Sequence, residues 1–395
     1  MGFIFKTHKM NLKIIKLKLL VKYIFFSRYV FKLPTKKKIL IYDDNNVRFL
    51  SKFFHSNDFS ILYTRGEEFN FIILFKNFLR AKFSKKEYFE TYINYVDPNI
   101  LITFSDNDKT FLLIKKSSVK KVIIQNAWKT EQDDHILRNI NVRKDKAQFN
   151  LDCIFVFNKD FGEKYKKLTG CKYFVIGSFK SNLIKINLKK KYDILYISSW
   201  ADIKEDTEVS PNISWKKFNL TQTKLIKYLF NYSKKNNLSF HIYGKMISNK
   251  LAKLENQYFQ NILGAKNLKF IKGNRRKTYD IIDKAKINIT LNSTLGYESL
   301  TRGTKTIFFS LRPKKEFLSS LRFGWPSKIP AKGFFWTNNL NTNYCDKMMN
   351  KVINSNKTVW LKEKKKYRKK LMFYDENNSI FRNHIKKIIN DKNTL

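Results

Sequence analysis

The stretch KINITLNSTLGYESLTRGTKTIFFS (Lys286–Ser310) places a cluster of small residues between two apolar runs. The first run, KINITLN, predicts a strand, because β-branched residues recur through it. STLGYESLTRG then predicts a turn and a helix that ends at Gly303, with Ser293 or Thr294 as a good N-cap. TKTIFFS predicts the next strand, so the stretch has the strand–helix–strand order of a doubly wound α/β sheet.

The turn at Ser293 is a candidate phosphate site. The first backbone amides of a helix have no intrahelical partners, and the positive end of the helix dipole lies behind them. Gly296 allows close approach of another backbone, and Glu298 is expected in the first turn, where a carboxylate favours the dipole. The alternative is that Ser293, Thr294 and Glu298 only cap the helix, with Glu298 closing a capping box.

Outward from this stretch, the chain alternates short apolar runs with helix-length segments from residue 37 onward. Near-continuous apolar runs closed by polar or small residues are typical of strands buried on both faces of a parallel sheet. Two segments, KKEYFETYINYV and FNKDFGEKYKKL, predict crossover helices. The predicted strands of the first half are KKILIYD, FSILYT, PNILITF, KKVIIQN, LDCIFVFN and CKYFVIGS.

A polar, lysine-rich join, KSNLIKINLKKK (Lys180–Lys191), interrupts the alternation, which restarts with YDILYIS. A chain of 395 residues also fits two domains better than one. We therefore predict an α/β protein with two doubly wound, Rossmann-like domains that face a cleft, followed by C-terminal helices. The predicted boundaries are a basic leader over 1–35, an N-terminal Rossmann-like domain over 36–183, a C-terminal Rossmann-like domain over 184–340 and helices over 341–395.

The net charge of +47 would ordinarily indicate a nucleic acid or an anionic membrane as partner. The excess is mostly lysine, spread along the whole chain together with Ile, Asn, Phe and Tyr, a bias that AT-rich codons produce without selection for function. Arginine is scarce and forms no compact cluster in the sequence of the kind that recognises bases or phosphates. We therefore expect no nucleic-acid partner.

The three cysteines, Cys153, Cys171 and Cys345, have no motif spacing. The sequence contains no C-x-x-C, zinc-binding or H-E-x-x-H pattern. Unpatterned cysteines are typical of reduced thiols in a cytosolic protein. We therefore predict no metal site and a cytoplasmic location.

The N-terminal segment MNLKIIKLKLLVKYIFFSRYVFKLP (Met10–Pro34) is apolar but is interrupted by cations that include Lys13, Lys16, Lys18, Lys22 and Arg28. A spanning helix needs about 18 residues with few charges, and a secretory signal needs an uninterrupted apolar region, so we predict neither. Two interpretations stay open, a basic helix on an anionic bilayer and a leader helix packed on the protein. The first would place the protein peripherally on the inner face of the cell membrane.

ITLNSTLGYESLTRGTKTIFFS resembles the donor-site signature of bacterial GT-B glycosyltransferases of surface carbohydrate biosynthesis. In that family a strand ending in STLGYE opens the helix that grips the diphosphate of a nucleotide-sugar. LITFSDNDKTFLLIKK, KVIIQNAWK and YFVIGSFKSN are similar to further segments of the same family, in the same order, so the resemblance covers most of 37–340. One departure is Ala127, where the family has a glycine after QN.

The resemblance implies transfer of a sugar from a nucleotide-sugar to a hydroxyl of a surface polysaccharide or lipid-linked glycan, without a further cofactor. It implies that 36–183 is the acceptor domain and that 184–340 is the nucleotide-sugar donor domain. The leaving diphosphate needs electrostatic stabilisation, which helix amides and cations can give without a metal. Ser293, Thr294 and Gly296 would contact the diphosphate, and Glu298 would accept hydrogen bonds from ribose or sugar hydroxyls. The candidate cations are Lys245, Arg275 and Arg276, for which the alternative is a solvated basic loop.

An inverting transfer also needs a base that takes the acceptor proton. Asp106 follows the strand NILITF at its carboxyl end and is the first candidate, with Asp108 as the second. The alternative for Asp106 is an N-cap of the next helix. His135 and His241 are further candidates, although His241 lies inside an apolar strand, which is typical of a core histidine. The residues expected to orient the acceptor are Asn107, Gln125 and Asn126.

Three other functions stay open on the sequence alone. A nucleotide-sugar epimerase of the same two-domain fold would act on the donor alone, but we find no convincing acidic and histidine pair for it. A teichoic-acid-type transferase would move a polyol phosphate instead of a sugar. A basic RNA-binding or scaffold protein would bind RNA in a salt-sensitive way and show no affinity for nucleotide-sugars.

Overall fold

The chain folds into two successive parallel sheets of six strands each. The structure is a computed structural model. It describes residues 25–82, 84–114, 118–131, 136, 149, 151–187, 189–201, 208–210, 213–311 and 321–390.

The first half of the chain forms a sheet that is covered on both faces. Its strands and those of a small neighbouring ribbon are β1 (Arg28–Val30), β2 (Ile39–Tyr42), β3 (Phe59–Leu62), β4 (Glu68–Asn70), β5 (Ile100–Thr103), β6 (Lys120–Ile124), β7 (Cys153–Val156) and β8 (Lys172–Val175). The sheet order is β3-β2-β5-β6-β7-β8, and all five pairings are parallel. All residues of β2, β5 and β7 are buried, which explains their unbroken apolar runs.

The second half repeats this architecture. Its strands are β9 (Tyr192–Ile197), β10 (Glu208–Ser210), β11 (Ile213–Ser214), β12 (Phe240–Tyr243), β13 (Phe270–Ile271), β14 (Ala285–Thr290), β15 (Lys305–Phe309) and β16 (Trp336–Thr337). The sheet order is β13-β12-β9-β14-β15-β16, again with parallel pairings, while β10 and β11 form a separate antiparallel ribbon. The predicted fold class, two doubly wound α/β domains, is confirmed.

Helices connect the strands and cover the sheets. They are Val47–Leu50, Phe71–Leu79, Lys85–Val96, Lys109–Leu113, Lys159–Thr169, Phe179–Asn182, Trp215–Lys235, Asn249–Leu263, Thr278–Asp283, Thr294–Thr301, Thr342–Asn354, Lys357–Lys365 and Ser379–Asn390. Both predicted crossover helices are confirmed. Ser84 caps the helix Lys85–Val96 with a capping box, and Asn158 caps Lys159–Thr169 through the amide of Phe161.

The last helix returns to the first domain. The ring of Phe381 lies 4.7 Å from that of Phe179 and 4.9 Å from that of Phe155, between ring centroids. Ile385 and Ile388 belong to the same buried cluster, which covers one face of the first sheet. An element that follows the second domain in sequence therefore completes the core of the first.

The leader is only partly within the described residues, which begin at Phe25. Arg28–Val30 forms strand β1, which pairs in parallel with β4, and Arg28 forms an ion pair with Glu68. The expectation of a helix is therefore wrong for Arg28–Val30, because this backbone hydrogen-bonds to a neighbouring strand. Within the described part of the chain, no helix combines the length and apolarity needed to cross a bilayer.

Candidate functional site

A cavity of about 800 Å³ lies between the two domains, where the carboxyl ends of several strands meet. The first domain contributes polar side chains from the loops after β2, β3 and β6, and the second contributes the turn at Ser293 and residues near Arg275. The lining residues are Asp44, Asn45, Asn46, Val47, Arg48, Phe49, Arg65, Glu67, Asn126, Ala127, Lys180, Arg275, Thr278, Tyr279, Ser293, Thr294, Leu295 and Glu298.

The helix Thr294–Thr301 points its N-terminus at this cavity. Ser293 is the N-cap, and its side chain accepts a hydrogen bond from the amide of Leu295 at 3.3 Å. Ser293 and Thr294 both line the cavity, as the phosphate-site hypothesis requires. The amides of Ser293 and Leu295 already donate to Oγ1 of Thr290 and to Oγ of Ser293, so a negatively charged ligand at this wall would be stabilised mainly by the helix dipole.

Gly296 has a different role from the one predicted. It is buried, and its amide donates to the carbonyl of Ser293 at 2.9 Å, so this amide is already used. A Cβ atom at this position would lie 2.5 Å from Cγ2 of Thr290 and 3.0 Å from the ring of Phe308. Gly296 therefore allows the helix to pack closely on β14 and β15 and does not line the cavity.

Glu298 is the fifth residue of the helix, not a residue of its first turn, so it cannot close a capping box with Ser293. The side chain lines the cavity but is only 4% exposed. Its Oε1 accepts hydrogen bonds from the hydroxyls of Ser178 at 2.5 Å and Tyr279 at 3.1 Å. Burial and the Glu298 charge raise the pKa of Tyr279, which keeps its hydroxyl a donor.

Trp128 contacts the second domain through both its side chain and its backbone. Its indole ring stacks on the ring of Tyr297, with centroids 3.8 Å apart and planes 6° from parallel. Its backbone amide donates to Oγ1 of Thr294 at 2.8 Å. The loop after β6 therefore contacts the first turn of the helix Thr294–Thr301 directly.

A buried ion pair lies where the same helix ends, next to the segment that connects the two domains. Arg302 donates to both carboxylate oxygens of Asp283, at 2.8 and 2.5 Å, and the side chains of both residues are fully buried. The guanidinium also donates to the backbone carbonyls of Ser181, Ile184 and Lys185. The N–H donors of the Arg302 guanidinium thus fix the backbone segment that follows the first domain.

The acidic pair after β2 lies on the opposite wall. Asp43 is buried and accepts from Arg65 at 2.6 Å and from Ser105 at 2.6 Å. Burial alone would raise the pKa of Asp43, but the Ser105 hydrogen bond and the Arg65 charge hold it below the usual value. Asp44 is exposed to the cavity, and partial burial, a hydrogen bond with Asp43 and the Glu67 charge raise its pKa.

Asp106 and Asp108 do not line the cavity, in contrast to the expectation that Asp106 faces the cleft. Asp106 is 3% exposed, lies 2.6 Å from Nζ of Lys129 and accepts from the amide of Asn126 at 2.9 Å. Its carboxylate therefore holds the loop after β6 in place. Asp108 is the N-cap of Lys109–Leu113 and accepts from the hydroxyl of Tyr42, so the capping role falls to this residue.

The three predicted acceptor residues separate in the structure. Asn126 lines the cavity, and its Oδ1 accepts from the side chain of Asn46 at 3.3 Å. Gln125 is buried, accepting from the amide of Phe157 and donating to the carbonyl of Ala127, so it supports the loop. Asn107 is exposed outside the cavity.

The predicted cations also separate. Arg275 lines the cavity, and its carbonyl accepts from the guanidinium of Arg48 at 3.2 Å. Lys245 and Arg276 are exposed and do not line it. The backbone amide of Lys245 donates to Glu255, which turns this loop onto the helix Asn249–Leu263.

Of the two candidate histidines, His241 is described by the structure and does not line the cavity. His241 is half-buried in β12 beside the ring of Tyr192, and burial lowers its pKa. His135 lies outside the described residues. Within the described residues, no group of three or more His, Cys, Asp or Glu side chains is placed to hold a metal ion.

Sequence reasoning missed Asp44, Arg65, Trp128 and Arg302. The rule that selected Asp106, a carboxylate after a predicted strand, applies equally to Asp44 in IYDDNN. The sequence contains no comparable signal for Trp128 or Arg302, because their partners Tyr297 and Asp283 are brought to them only by the tertiary fold.

Two solved structures share this architecture along nearly the whole chain. A single-site variant of the wall teichoic acid polymerase TagF, soaked with CDPG, is 11% identical with a TM-score of 0.50, covering 99% of this chain and 98% of that chain. A second single-site variant of TagF is 12% identical with a TM-score of 0.51, covering 90% of each chain. The likeness concerns the fold, which is that of the GT-B class, two Rossmann-like domains facing a cleft.

The family follows from the sequence itself. The model of a family described as "putative O-antigen biosynthesis protein" matches residues 122–389, which is more than half of the chain. The chain therefore belongs to this family, and its resemblance to proteins of surface carbohydrate biosynthesis is confirmed. No curated protein sequence matches it.

Proposed function

We propose that this protein transfers a sugar from a nucleotide-sugar to a hydroxyl group of a surface-glycan acceptor, such as a growing polysaccharide or a lipid-linked glycan. The observation that carries the proposal is the composition of the 800 Å³ cavity. One wall combines a helix N-terminus with Arg275, and the opposite wall carries Asp44, a carboxylate with a raised pKa. Membership of an O-antigen biosynthesis family supports the acceptor class.

The donor diphosphate would lie against Ser293 and Thr294. The positive end of this helix dipole and the Arg275 guanidinium can stabilise the negative charge that grows on the leaving group. Glu298, in the second turn of the same helix, would accept hydrogen bonds from ribose or sugar hydroxyls. Its contacts with Ser178 and Tyr279 hold the carboxylate in position for this.

Asp44 would act as the base in a direct displacement. The acceptor hydroxyl gives its proton to Asp44 while its oxygen bonds to the anomeric carbon of the donor. The bond from that carbon to the diphosphate oxygen breaks, and the nucleoside diphosphate leaves with the electron pair. A raised pKa suits this role, because a base works best when its pKa approaches the working pH. Asn126 would orient the acceptor beside it.

We also propose that the transfer needs no metal. Four cationic side chains surround the cavity, Arg48, Arg65, Lys180 and Arg275. Cations of this kind, with helix amides, can offset the charge of a leaving diphosphate in a partly enclosed site. Full turnover in the presence of EDTA is the expected result, and restoration of activity only by added Mg²⁺ or Mn²⁺ would contradict it.

A second candidate is the transfer of a polyol phosphate. The likeness along nearly the whole chain to a polymerase structure soaked with CDPG favours it. The two reactions release different products, since sugar transfer from the proposed diphosphate donor frees a nucleoside diphosphate, whereas polyol-phosphate transfer frees a nucleoside monophosphate. Chromatography of the released nucleotide therefore separates them.

We further propose that the protein works in the cytoplasm, on the inner side of the cell membrane. Cys153, Cys171 and Cys345 are free and buried, which suits a reducing compartment. A membrane-linked acceptor would then reach the cavity on the cytoplasmic side of the membrane, where nucleotide-sugars are present.

The testing experiment is a thermal-shift screen against UDP, GDP, CDP, CMP, dTDP and their sugars, with RNA as a control. A ligand at about 100 times its dissociation constant adds about 2.7 kcal/mol to the free energy of unfolding, which gives a clear shift. We expect one nucleotide to stabilise the protein selectively.

Two matched arginine variants then test the position of the donor. Arg275→Ala removes a cavity cation and should weaken nucleotide binding at least tenfold, whereas Arg276→Ala, its exposed neighbour, should leave it unchanged. Glu298→Gln should weaken binding of the nucleotide-sugar. The absence of any nucleotide shift in the unmodified protein, or equal effects of both arginine variants, would refute the donor site.

A further inference from the structure

The helix Phe71–Leu79 exposes its apolar side chains to solvent. Phe71, Phe75, Phe78 and Leu79 are 46, 53, 64 and 68% exposed. They recur at i, i+4, i+7 and i+8, so they form one stripe along the helix. A contiguous apolar surface of this kind marks an interaction site more often than it marks ordinary protein surface.

The stripe continues onto the segment before β2. Phe31 is 65% exposed, and its ring lies 5.2 Å from that of Phe71. Phe25 and Phe26, on the same segment, are 75 and 80% exposed. We call the continuous surface that Phe31 forms with the stripe the aromatic face, defined by Phe31, Phe71, Phe75, Phe78 and Leu79.

An open, mainly apolar groove of about 610 Å³ adjoins the aromatic face. Phe75 and Phe78 line it, together with Tyr88 and Phe89 of the next helix. The groove shares one loop with the interdomain cavity. Tyr63, Thr64 and Gly66 line the groove, whereas Arg65 and Glu67 line the cavity, so the two spaces lie on either side of a single loop.

The charged residues that line the groove are positive, while the neighbouring Glu68 is paired with Arg28 and Glu87 with Ser84. Lys82 and Lys85 line the groove, and Arg80 is exposed directly after the helix. The segment before Phe25 in the sequence also carries many lysines. A net charge of +47 disfavours a second copy of the chain as the cover of the face. Anionic lipid fits both the exposed aromatic side chains and the cations beside them, because its headgroups attract lysines and its chains accept aromatic side chains.

We propose that the aromatic face docks on an anionic lipid bilayer. Its phenylalanines enter the boundary between headgroups and chains, while the surrounding lysines contact the headgroups. The groove then opens to the membrane, one loop away from the acceptor wall of the cavity. The idea that this placement brings a lipid-linked acceptor to the cavity rests on the proposed function, whereas the docking itself does not.

Vesicle flotation of the full-length protein tests the docking directly and needs no turnover. We expect binding to vesicles of phosphatidylcholine with phosphatidylglycerol and little binding to phosphatidylcholine alone, with a decrease at high salt. The variant Phe75→Ser/Phe78→Ser should bind the anionic vesicles at least tenfold more weakly. The matched control Ile247→Ser/Leu254→Ser changes two exposed apolar residues of the second domain, at 42 and 39% exposure, and should bind as the unmodified protein does.

Three results would overturn the proposal. The first is the absence of binding to anionic vesicles at low salt. The second is full binding by Phe75→Ser/Phe78→Ser, combined with loss of binding when Lys13, Lys16, Lys18 and Lys22 are replaced by Glu, since the leader would then carry it. The third is a vesicle-free dimer that the Phe75→Ser/Phe78→Ser variant dissociates, since a second copy would then cover the face. The nucleotide shift of each variant, measured in parallel, separates failure of docking from failure of the donor site.

Discussion

At the scale of single residues, Asp44 carries the proposed chemistry. We expect Asp44→Asn to lower kcat about 10²- to 10⁴-fold, the usual contribution of a general base, and to leave nucleotide affinity unchanged. Because the pKa of Asp44 is raised, activity of the unmodified protein should fall on acidification at a higher pH than the ordinary aspartate value of about 3.9. Steady-state kinetics against pH measures both effects.

The control for this prediction is Asp58→Asn, which changes a partly exposed carboxylate of the same domain outside the cavity. It should keep the kcat and the pH profile of the unmodified protein. If Asp44→Asn kept full turnover and still lost activity on acidification as the unmodified protein does, another group would take the acceptor proton.

Arg302 is the residue whose loss should destabilise the protein most directly. Arg302→Met leaves Asp283 buried without its partner, and breaking a buried pair in this way costs about 3–5 kcal/mol. The matched variant Lys284→Met breaks the partly exposed pair with Asp280 and should cost far less, because solvent screens it. Urea denaturation of both variants measures the difference, and equal losses would contradict a special role for the buried pair.

At the scale of elements, the close packing of the helix Thr294–Thr301 on its sheet positions the donor wall. Gly296→Ala places a Cβ 2.5 Å from Cγ2 of Thr290, and overpacking of this kind costs about 1–3 kcal/mol. Adding Thr290→Ser removes Cγ2 and keeps the hydroxyl that accepts from the amide of Ser293, so it should recover part of the loss. Thermal unfolding measures the stability of the single and double variants. Purely additive losses of stability would contradict a clash between the new Cβ and Cγ2 of Thr290.

The boundaries of this helix decided which predicted residues reach the cavity. The sequence predicted its strand, turn and helix, because apolar periodicity and an N-cap residue are local signals. It left the N-cap open between Ser293 and Thr294, and the structure has Ser293, which places Glu298 in the second turn and turns Gly296 toward β14 and β15. The direction of a side chain depends on this register, and one residue of helix rotates it by about 100°.

At the scale of the whole molecule, the stack of Trp128 on Tyr297 couples the two domains across the cleft. An aromatic pair contributes about 0.5–1.5 kcal/mol, so Trp128→Ala should shift the balance between closed and open cleft about two- to tenfold. We expect a larger radius of gyration by small-angle X-ray scattering and a several-fold slower transfer. Trp128→Phe, which keeps a ring, should lie close to the unmodified protein. Unchanged scattering and turnover in Trp128→Ala would show that the stack does not hold the domains together.

The sequence by itself determined the two α/β domains, the strand–turn–helix at Ser293 and the surface-carbohydrate family. These depend on local apolar runs, caps and a motif, all of which are written within short stretches of the chain. Only the tertiary structure decided which carboxylate faces the cavity. Asp44 and Asp106 both follow strands, but Lys129 and the amide of Asn126 bury Asp106, whereas Asp44 stays open to the cavity. The contacts of Trp128, Arg302 and the last helix join residues far apart in sequence, and such contacts have no local signal because they form only when the domains meet.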